Sequence, residues 1–323
     1  MANAAVFEGV IGGNMRRVHA ALAAGASVNG SPELPGVPIM VATTRDNVDM
    51  VNLLILQGAD PEIPADHEMS CPNSDFAVRR GERALHLAAK RGNVDIACLL
   101  LKRARANPNA TDQTGRTPLM AACATLHNYA ALVRLLLEAG ADPALAEEDG
   151  FIALHVAAQK GRVDLIDMLY AGAPATLNTY SSDGETPLFA ACTEGREGTV
   201  SRLLSLGARQ RVPPDDRNMC PLLVAAILGF SGVVRILVDD GLRAVGGTGT
   251  LSMGLNNALL YRNAKAVRLL LAADGEEKRS RWANIIICEK SLLYRGAADC
   301  CPAVVSALLA AGADEAARDS EGR

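Results

Sequence analysis

Aromatic side chains are scarce in this sequence: one Trp, five Tyr and five Phe amount to 3% of 323 residues. Sandwiches and barrels draw much of their core from aromatic and β-branched side chains. Here a hydrophobic content of 49% comes mainly from Ala, Leu and Val, which suits helices packed close together. Neither sign of charge dominates, with 32 Lys and Arg against 36 Asp and Glu and a formal net charge of −4. Such a chain has no general attraction for DNA or an anionic membrane, so neither nucleic acid nor membrane insertion is expected. The uncharged run Met219 to Val234 is too short for a bilayer and holds Pro221, Gly229 and Gly232. The first residues, Met1 to Glu8, have no basic region ahead of their apolar ones, so a secretory signal is not expected. The eight cysteines (Cys71, Cys98, Cys123, Cys192, Cys220, Cys288, Cys300 and Cys301) are scattered, unlike a short disulfide scaffold. Reduced, mostly buried thiols in a cytoplasmic protein are the expectation.

Catalytic signatures are missing as well. There is no G-x-x-x-x-G-K-[ST] phosphate loop, no H-E-x-x-H and no G-x-S-x-G. Gly246-Gly247-Thr248-Gly249 lacks the following lysine a phosphate loop needs. Asp66, His67 and Cys71 lie near one another, but one His and one Cys fall short of a four-ligand zinc set. Cys300-Cys301 is an adjacent pair without Cys-x-x-Cys spacing. Nothing gathers a nucleophile with an orienting base; no enzyme activity, metal or cofactor is expected.

What is present is a repeat. Arg83-Ala84-Leu85-His86, Thr117-Pro118-Leu119-Met120, Ile152-Ala153-Leu154-His155, Thr186-Pro187-Leu188-Phe189 and Cys220-Pro221-Leu222-Leu223 recur at intervals of 34, 35, 34 and 34 residues. A fixed period of this size marks a stack of supersecondary units. Within one period Thr117 suits an N-cap and Pro118 the first helical position, where a missing N–H costs nothing. An alanine-rich helix follows (Ala88-Ala89, Ala121-Ala122, Ala157-Ala158, Ala225-Ala226), then a break at Gly92, Gly161, Gly195 or Gly229. A leucine-rich second helix ends at Gly58-Ala59, Gly140-Ala141 or Gly312-Ala313, where glycine supplies a left-handed C-cap. The linking stretch, as in Asn109 to Arg116, has the Asp and Gly of a tight turn.

These residues resemble the ankyrin repeat, most fully from Ala106 through Ala122. The resemblance implies an all-α fold: an ankyrin-repeat solenoid of stacked antiparallel helix pairs joined by short β-hairpin-like turns. Weaker copies extend it to approximate repeats 1–30, 36–62, 81–110, 115–144, 150–176, 184–210, 218–244, 251–275 and 289–316. An insertion occupies 62–80, and irregular segments fall at 241–252 and 276–290. The insertion reads equally as a partner contact or as a tolerated loop. Trp282 reads as a cover for the C-terminal core ahead of a binding anchor. His86 and His155, at the fourth position of the T-P-L-H box, read as structural hydrogen-bonding residues.

In ankyrin-like arrays partners dock in a concave groove lined by the turn tips and the exposed positions of the first helices. That likeness assigns Arg79, Arg80 and Glu82; Gln113, Thr114 and Arg116; Glu148, Asp149 and Phe151; Ser182, Asp183 and Glu185; and Asp216, Arg217 and Met219 to the tips, with Tyr180 a second candidate anchor after Phe151. Lys90, Arg91, Gln159 and Lys160 stand beside them on the helices. The tips pass from basic to acidic, a polarity that can set the direction of an extended partner, and Phe151 is the expected anchor. The expected function is a non-catalytic protein–protein interaction scaffold or adaptor working as a monomeric array. The alternative is a regulatory or targeting module of a longer protein whose catalytic or channel domain lies beyond Arg323. Ala313 to Arg323 matches a turn that elsewhere precedes a T-P-L box, which favours a continuing array.

Overall fold

The computed structural model describes residues 2–31, 36–66, 69–70, 77–125, 129–210, 220–243, 249–273, 283–284, 286–287, 290–298, 301–314 and 316. Among them eighteen α-helices alternate as first and second members of pairs. In order they are α1 (Ala2–Ile11), α2 (Met15–Ala23), α3 (Pro38–Thr44), α4 (Val48–Leu56), α5 (Ala84–Arg91), α6 (Val94–Lys102), α7 (Pro118–Ala124), α8 (Tyr129–Glu138) and α9 (Ala153–Lys160). They continue with α10 (Val163–Gly172), α11 (Pro187–Thr193), α12 (Glu197–Ser205), α13 (Pro221–Leu228), α14 (Ser231–Arg243), α15 (Gly249–Leu260), α16 (Ala264–Ala273), α17 (Leu292–Ala298) and α18 (Pro302–Ala310). The strands are two residues each: β1 (Met69–Ser70) pairs antiparallel with β2 (Ala77–Val78), and β3 (Ile286–Ile287) with β4 (Lys290–Ser291). The chain divides into two compact units, Met1–Val156 with Asp167–Thr176 and Ala157–Ile166 with Leu177–Arg323.

Local chemistry starts each helix. The Thr117 hydroxyl oxygen accepts the Met120 N–H at 3.3 Å, Thr186 accepts that of Phe189 at 3.2 Å, and Pro118 and Pro187 follow as the first helical residues. Such a cap contributes about 1 kcal/mol. Second helices have caps of their own, which the T-P-L spacing does not announce. The side-chain oxygens of Asn14, Asn47, Asn93 and Asn263 accept the N–H of Arg17, Met50, Ile96 and Ala266 at 2.9–3.0 Å. Each of these asparagines directly follows a left-handed residue: Gly13, Asp46, Gly92 and Arg262.

In the first unit the core runs through Leu85, Leu87, Leu119 and Met120 of the first helices and Ile96, Leu100, Leu132 and Leu136 of the second, all fully buried. Ala88, Ala89 and Ala122 are buried where α5 and α7 pack together, so the small side chains permit close approach. In the second unit Leu188, Leu203, Leu222, Leu237, Leu255 and Leu270 take the same places.

Asparagine also ties each unit along its length. In the first, the Asn109 side chain accepts the Asp142 N–H at 2.8 Å and donates to the Gly140 carbonyl at 3.0 Å. In the second, Asn284 does the same with Asp314 (2.6 Å) and Gly312 (3.0 Å). Gly140 and Gly312 have φ of 90° and 85°, the left-handed form expected at the ends of second helices. Arg105 takes that place after α6 with φ 56°.

The stretches expected to be irregular hold regular structure at their described positions, and 276–290 includes β3 and the first residue of β4. Residues 241–252 contain the end of α14 and the start of α15, because the apolar pattern Val233, Val234, Leu237, Val238 continues into another turn. The insertion 62–80 contains the β1–β2 hairpin, and its return is fixed by Ala65, which donates to the Glu82 carbonyl and accepts from the Gly81 N–H, both at 2.8 Å. Trp282, His67, Cys71 and the Gly246–Thr248 segment lie outside the described residues.

Candidate protein-interaction surface

A turn tip needs a residue that holds several backbone donors at once. Asp112 does this from a buried position: one carboxylate oxygen accepts the N–H of Thr114, the N–H of Arg116 and the Thr114 hydroxyl, each at 2.9 Å. The Gly115 N–H closes the turn onto the Asp112 carbonyl at 3.1 Å. In the next tip of the first unit the Gly150 N–H reaches the Glu147 carbonyl at 2.8 Å, and the Glu147 N–H reaches Phe151 at 2.9 Å. In the second unit Ser181 takes the Asp112 role, its hydroxyl oxygen accepting the Glu185 N–H at 3.0 Å.

The three tips of the first unit bond to one another. The Gln113 N–H donates to the Arg80 carbonyl at 3.2 Å, and the Glu148 N–H to the Thr114 carbonyl at 2.9 Å. Gly81 and Gly115 make this possible. Both have left-handed φ, 82° and 81°, and a β-carbon on Gly81 would lie 2.5 Å from the Gln113 nitrogen. The result is a backbone row presenting exposed Arg79 and Arg80 at one end, Gln113 and Thr114 between, and Glu148 and Asp149 at the other.

Other expected contacts prove to be internal. Glu82 is buried, forms an ion pair with Lys90 and accepts the Arg79 N–H at 2.9 Å. It therefore pins the tip and neutralises Lys90, a helix cation expected to face a partner. Arg91 is likewise engaged, donating through Nε to Asp46 at 2.8 Å. Arg116 pairs with Glu147 at 2.9 Å, and burial holds the Glu147 carboxyl above its ordinary range despite that arginine. Phe151 is half-buried with its ring centroid 5.1 Å from that of His155, so it has a packing duty and is not a free anchor.

In the second unit Gln159 is half-buried and its carbonyl accepts from Arg196 Nε at 3.1 Å, whereas Lys160 is exposed. Tyr180 and Asp183 are exposed; Glu185 is half-buried, and burial with Asp183 nearby raises its carboxyl. Asp216, Arg217 and Met219 lie outside the described residues.

The histidines of the T-P-L-H box hold the starts of their own helices, and His86 also bridges to the next turn. His86 Nδ1 accepts the Arg83 N–H at 3.2 Å, which leaves the proton on Nε2 to donate to the Arg116 carbonyl at 3.0 Å. Burial pushes this imidazole below its ordinary pKa. His155 Nδ1 accepts the Ile152 N–H at 3.3 Å. Among the described residues no group of three or more His, Cys, Asp or Glu is placed to hold a metal, and no helix is long and apolar enough to cross a membrane.

Short capped helix pairs tied by turn-to-turn hydrogen bonds define a helical-repeat protein of the kind that recognises other proteins. The chain belongs to the ankyrin-repeat family: the family described as Ankyrin repeats (3 copies) matches residues 13–112, 39–147, 85–179 and 154–245. Ankyrin repeats are in general protein–protein interaction modules. Among similar proteins, Ankyrin repeat and SOCS box protein 16 of Homo sapiens is 34% identical over 64% of this chain and 44% of its own length. The E3 ubiquitin-protein ligase KEG of Arabidopsis thaliana is 24% identical over 97% of this chain and 20% of its own. The Nuclear factor NF-kappa-B p105 subunit of Gallus gallus is 27% identical over 57% of this chain and 18% of its own. The chain thus spans less than half the length of each of these relatives.

Proposed function

We propose that the protein is a non-catalytic scaffold or adaptor that captures an extended segment of a partner protein along the turn tips of its first unit. The row that joins Arg79 and Arg80 to Glu148 and Asp149 through hydrogen-bonded backbone carries this reading. A segment acidic at one end and basic at the other matches it in one direction and meets like charges in the other, a difference that suppresses reversed binding. Gln113 and Thr114 lie between as polar contacts. Exposed Tyr180 and Asp183, with Lys160, offer the second unit similar contact chemistry.

The experiment is affinity capture with mass spectrometry on wild type, Arg79→Glu with Arg80→Glu, and Glu148→Lys with Asp149→Lys. Partners should be lost from either reversed variant while circular dichroism stays unchanged. Equal recovery of every partner by all three proteins rules the tips out.

A second reading, favoured by the greater length of the relatives, makes this array the recognition arm of a larger chain that carries a regulatory target or catalytic domain of its own. Full-length transcript sequence decides it: a reading frame continuing past Arg323 into another domain supports the reading, and a stop codon there removes it.

A further inference from the structure

The turns between first and second helices form a row of their own in the second unit. A β-carbon on Gly161 would lie 2.9 Å from Arg196, one on Gly195 2.7 Å from Phe230, and one on Gly229 2.9 Å from Lys265 Nζ. Each turn is thus overlaid by the residue opening the next second helix, so the last residues of successive first helices stand side by side. At the ends of α5, α9 and α11 those residues are polar: Lys90 and Arg91, Gln159 and Lys160, Thr193 and Glu194. At the ends of α13 and α15 they become Ile227, Leu228, Leu260 and Tyr261, exposed by 38%, 47%, 58% and 47%. The fold does not require large apolar side chains there, because the pairs that open with α5, α9 and α11 do without them.

On the α15–α16 side of this patch the charge has one sign, while Glu194 ends the neighbouring α11 and Glu197 lies against Gly232 in the first turn of α14. From Gly249 to Ala273 the sequence holds Arg262, Lys265 and Arg268 and no Asp or Glu. All three cations are exposed, and the Lys265 ammonium lies against the turn that carries Leu228. Adjacent exposed apolar side chains mark an interaction site, and a tyrosine beside aliphatic residues is a composition favoured at binding hot spots. We propose that the ends of α13 and α15 dock an acidic, apolar segment of another protein, with Leu228, Leu260 and Tyr261 covering its apolar side chains and Lys265 and Arg262 meeting its carboxylates. This rests on the chain being a protein-binding array, but not on the tips of the first unit.

The test pans a random-peptide display library on the full chain and measures selected synthetic peptides by fluorescence anisotropy. Selected sequences should combine Leu, Phe, Tyr or Trp with Asp or Glu. Leu228→Glu and Tyr261→Glu should each weaken binding by about tenfold or more, with thermal melting unchanged because both side chains are exposed. Lys265→Glu should weaken the acidic peptides and strengthen their Lys-substituted twins, while Lys102→Glu on α6 should alter neither. The proposal is overturned if no peptide is enriched, if enriched peptides carry no acidic residue, or if they bind Leu228→Glu as well as wild type. It is equally overturned if the free protein self-associates and Leu228→Glu abolishes that association, which assigns the patch to a second copy. Capture by the tips is read from a different set of variants, so failure of one site leaves the other measurable.

Discussion

Replacing His86 by Ala removes a side chain that serves two turns at once. The Arg83 N–H loses its partner at 3.2 Å, and the Arg116 carbonyl loses one of two, keeping the Asp112 N–H at 3.0 Å. An orphaned buried donor costs about 1–3 kcal/mol and a lost hydrogen bond about 0.5–1.5 kcal/mol. The sum expected for His86→Ala is about 1.5–4.5 kcal/mol. His86→Gln keeps an acceptor for the Arg83 N–H, as glutamine does at the third position of a capping box, and loses only the bridge to Arg116. It should cost about 1 kcal/mol. Native-state hydrogen exchange across α5 and α7 is the assay, since it reports local opening.

The same residue gives a pH dependence. Burial lowers the folded pKa of His86, and Nδ1 cannot bind a proton while accepting from Arg83. The unfolded chain takes up that proton first, near its ordinary pKa of about 6.5. The His86 contribution is therefore full above that value and is lost as pH falls through the lower folded value. Glu147, with a raised folded pKa, acts in the opposite sense in the acid range. The difference between wild type and His86→Gln isolates the imidazole. A His86→Ala variant as protected as wild type, or a difference that does not change with pH, refutes the bridging role.

Leu136→Ala empties a fully buried site on α8 and should cost about 2–5 kcal/mol in urea denaturation; a change near zero would place α8 in the wrong register. Arg105→Gly relieves a left-handed non-glycine residue after α6 and should stabilise by about 1 kcal/mol; destabilisation would show that the arginine side chain contributes more than its backbone costs. Burial raises the Cys192 and Cys220 thiols, whereas Cys98 and Cys301 are half-buried. Iodoacetamide at neutral pH should therefore label Cys98 and Cys301 well before the other two, by peptide mass spectrometry; equal rates would contradict the packing of α11 and α13.

The period, the Thr-Pro helix starts and the glycine turns are legible in the sequence because each is local chemistry fixed within a few residues. The asparagine caps of the second helices are just as local, at Asn14, Asn47, Asn93 and Asn263, yet they hide outside the T-P-L box that draws the eye. The surface was less legible. Tip position alone does not distinguish exposed Arg80 from buried Glu82, whose carboxylate pairs with Lys90 near the far end of α5. Arg116 and Glu147 are separated by nearly a whole repeat, so their pairing emerges only once two turns are stacked. Phe151 stands at a tip in sequence, but its ring lies against His155 in its own helix pair. The role of Asp112 is legible in local spacing: an Asp two residues before Thr and three before Gly is the signature of a turn whose carboxylate gathers backbone donors.

The most direct measurement places a photo-crosslinking residue at Gln113, in the middle of the first unit's row, and another at Lys102 on α6 as a control, with irradiation in cell extract. Capture of a discrete polypeptide from position 113, lost when Arg79 and Arg80 are reversed in charge, is the result predicted for a chain that works by binding a partner at its turn tips. Crosslinks from position 102 with none from position 113 would contradict it.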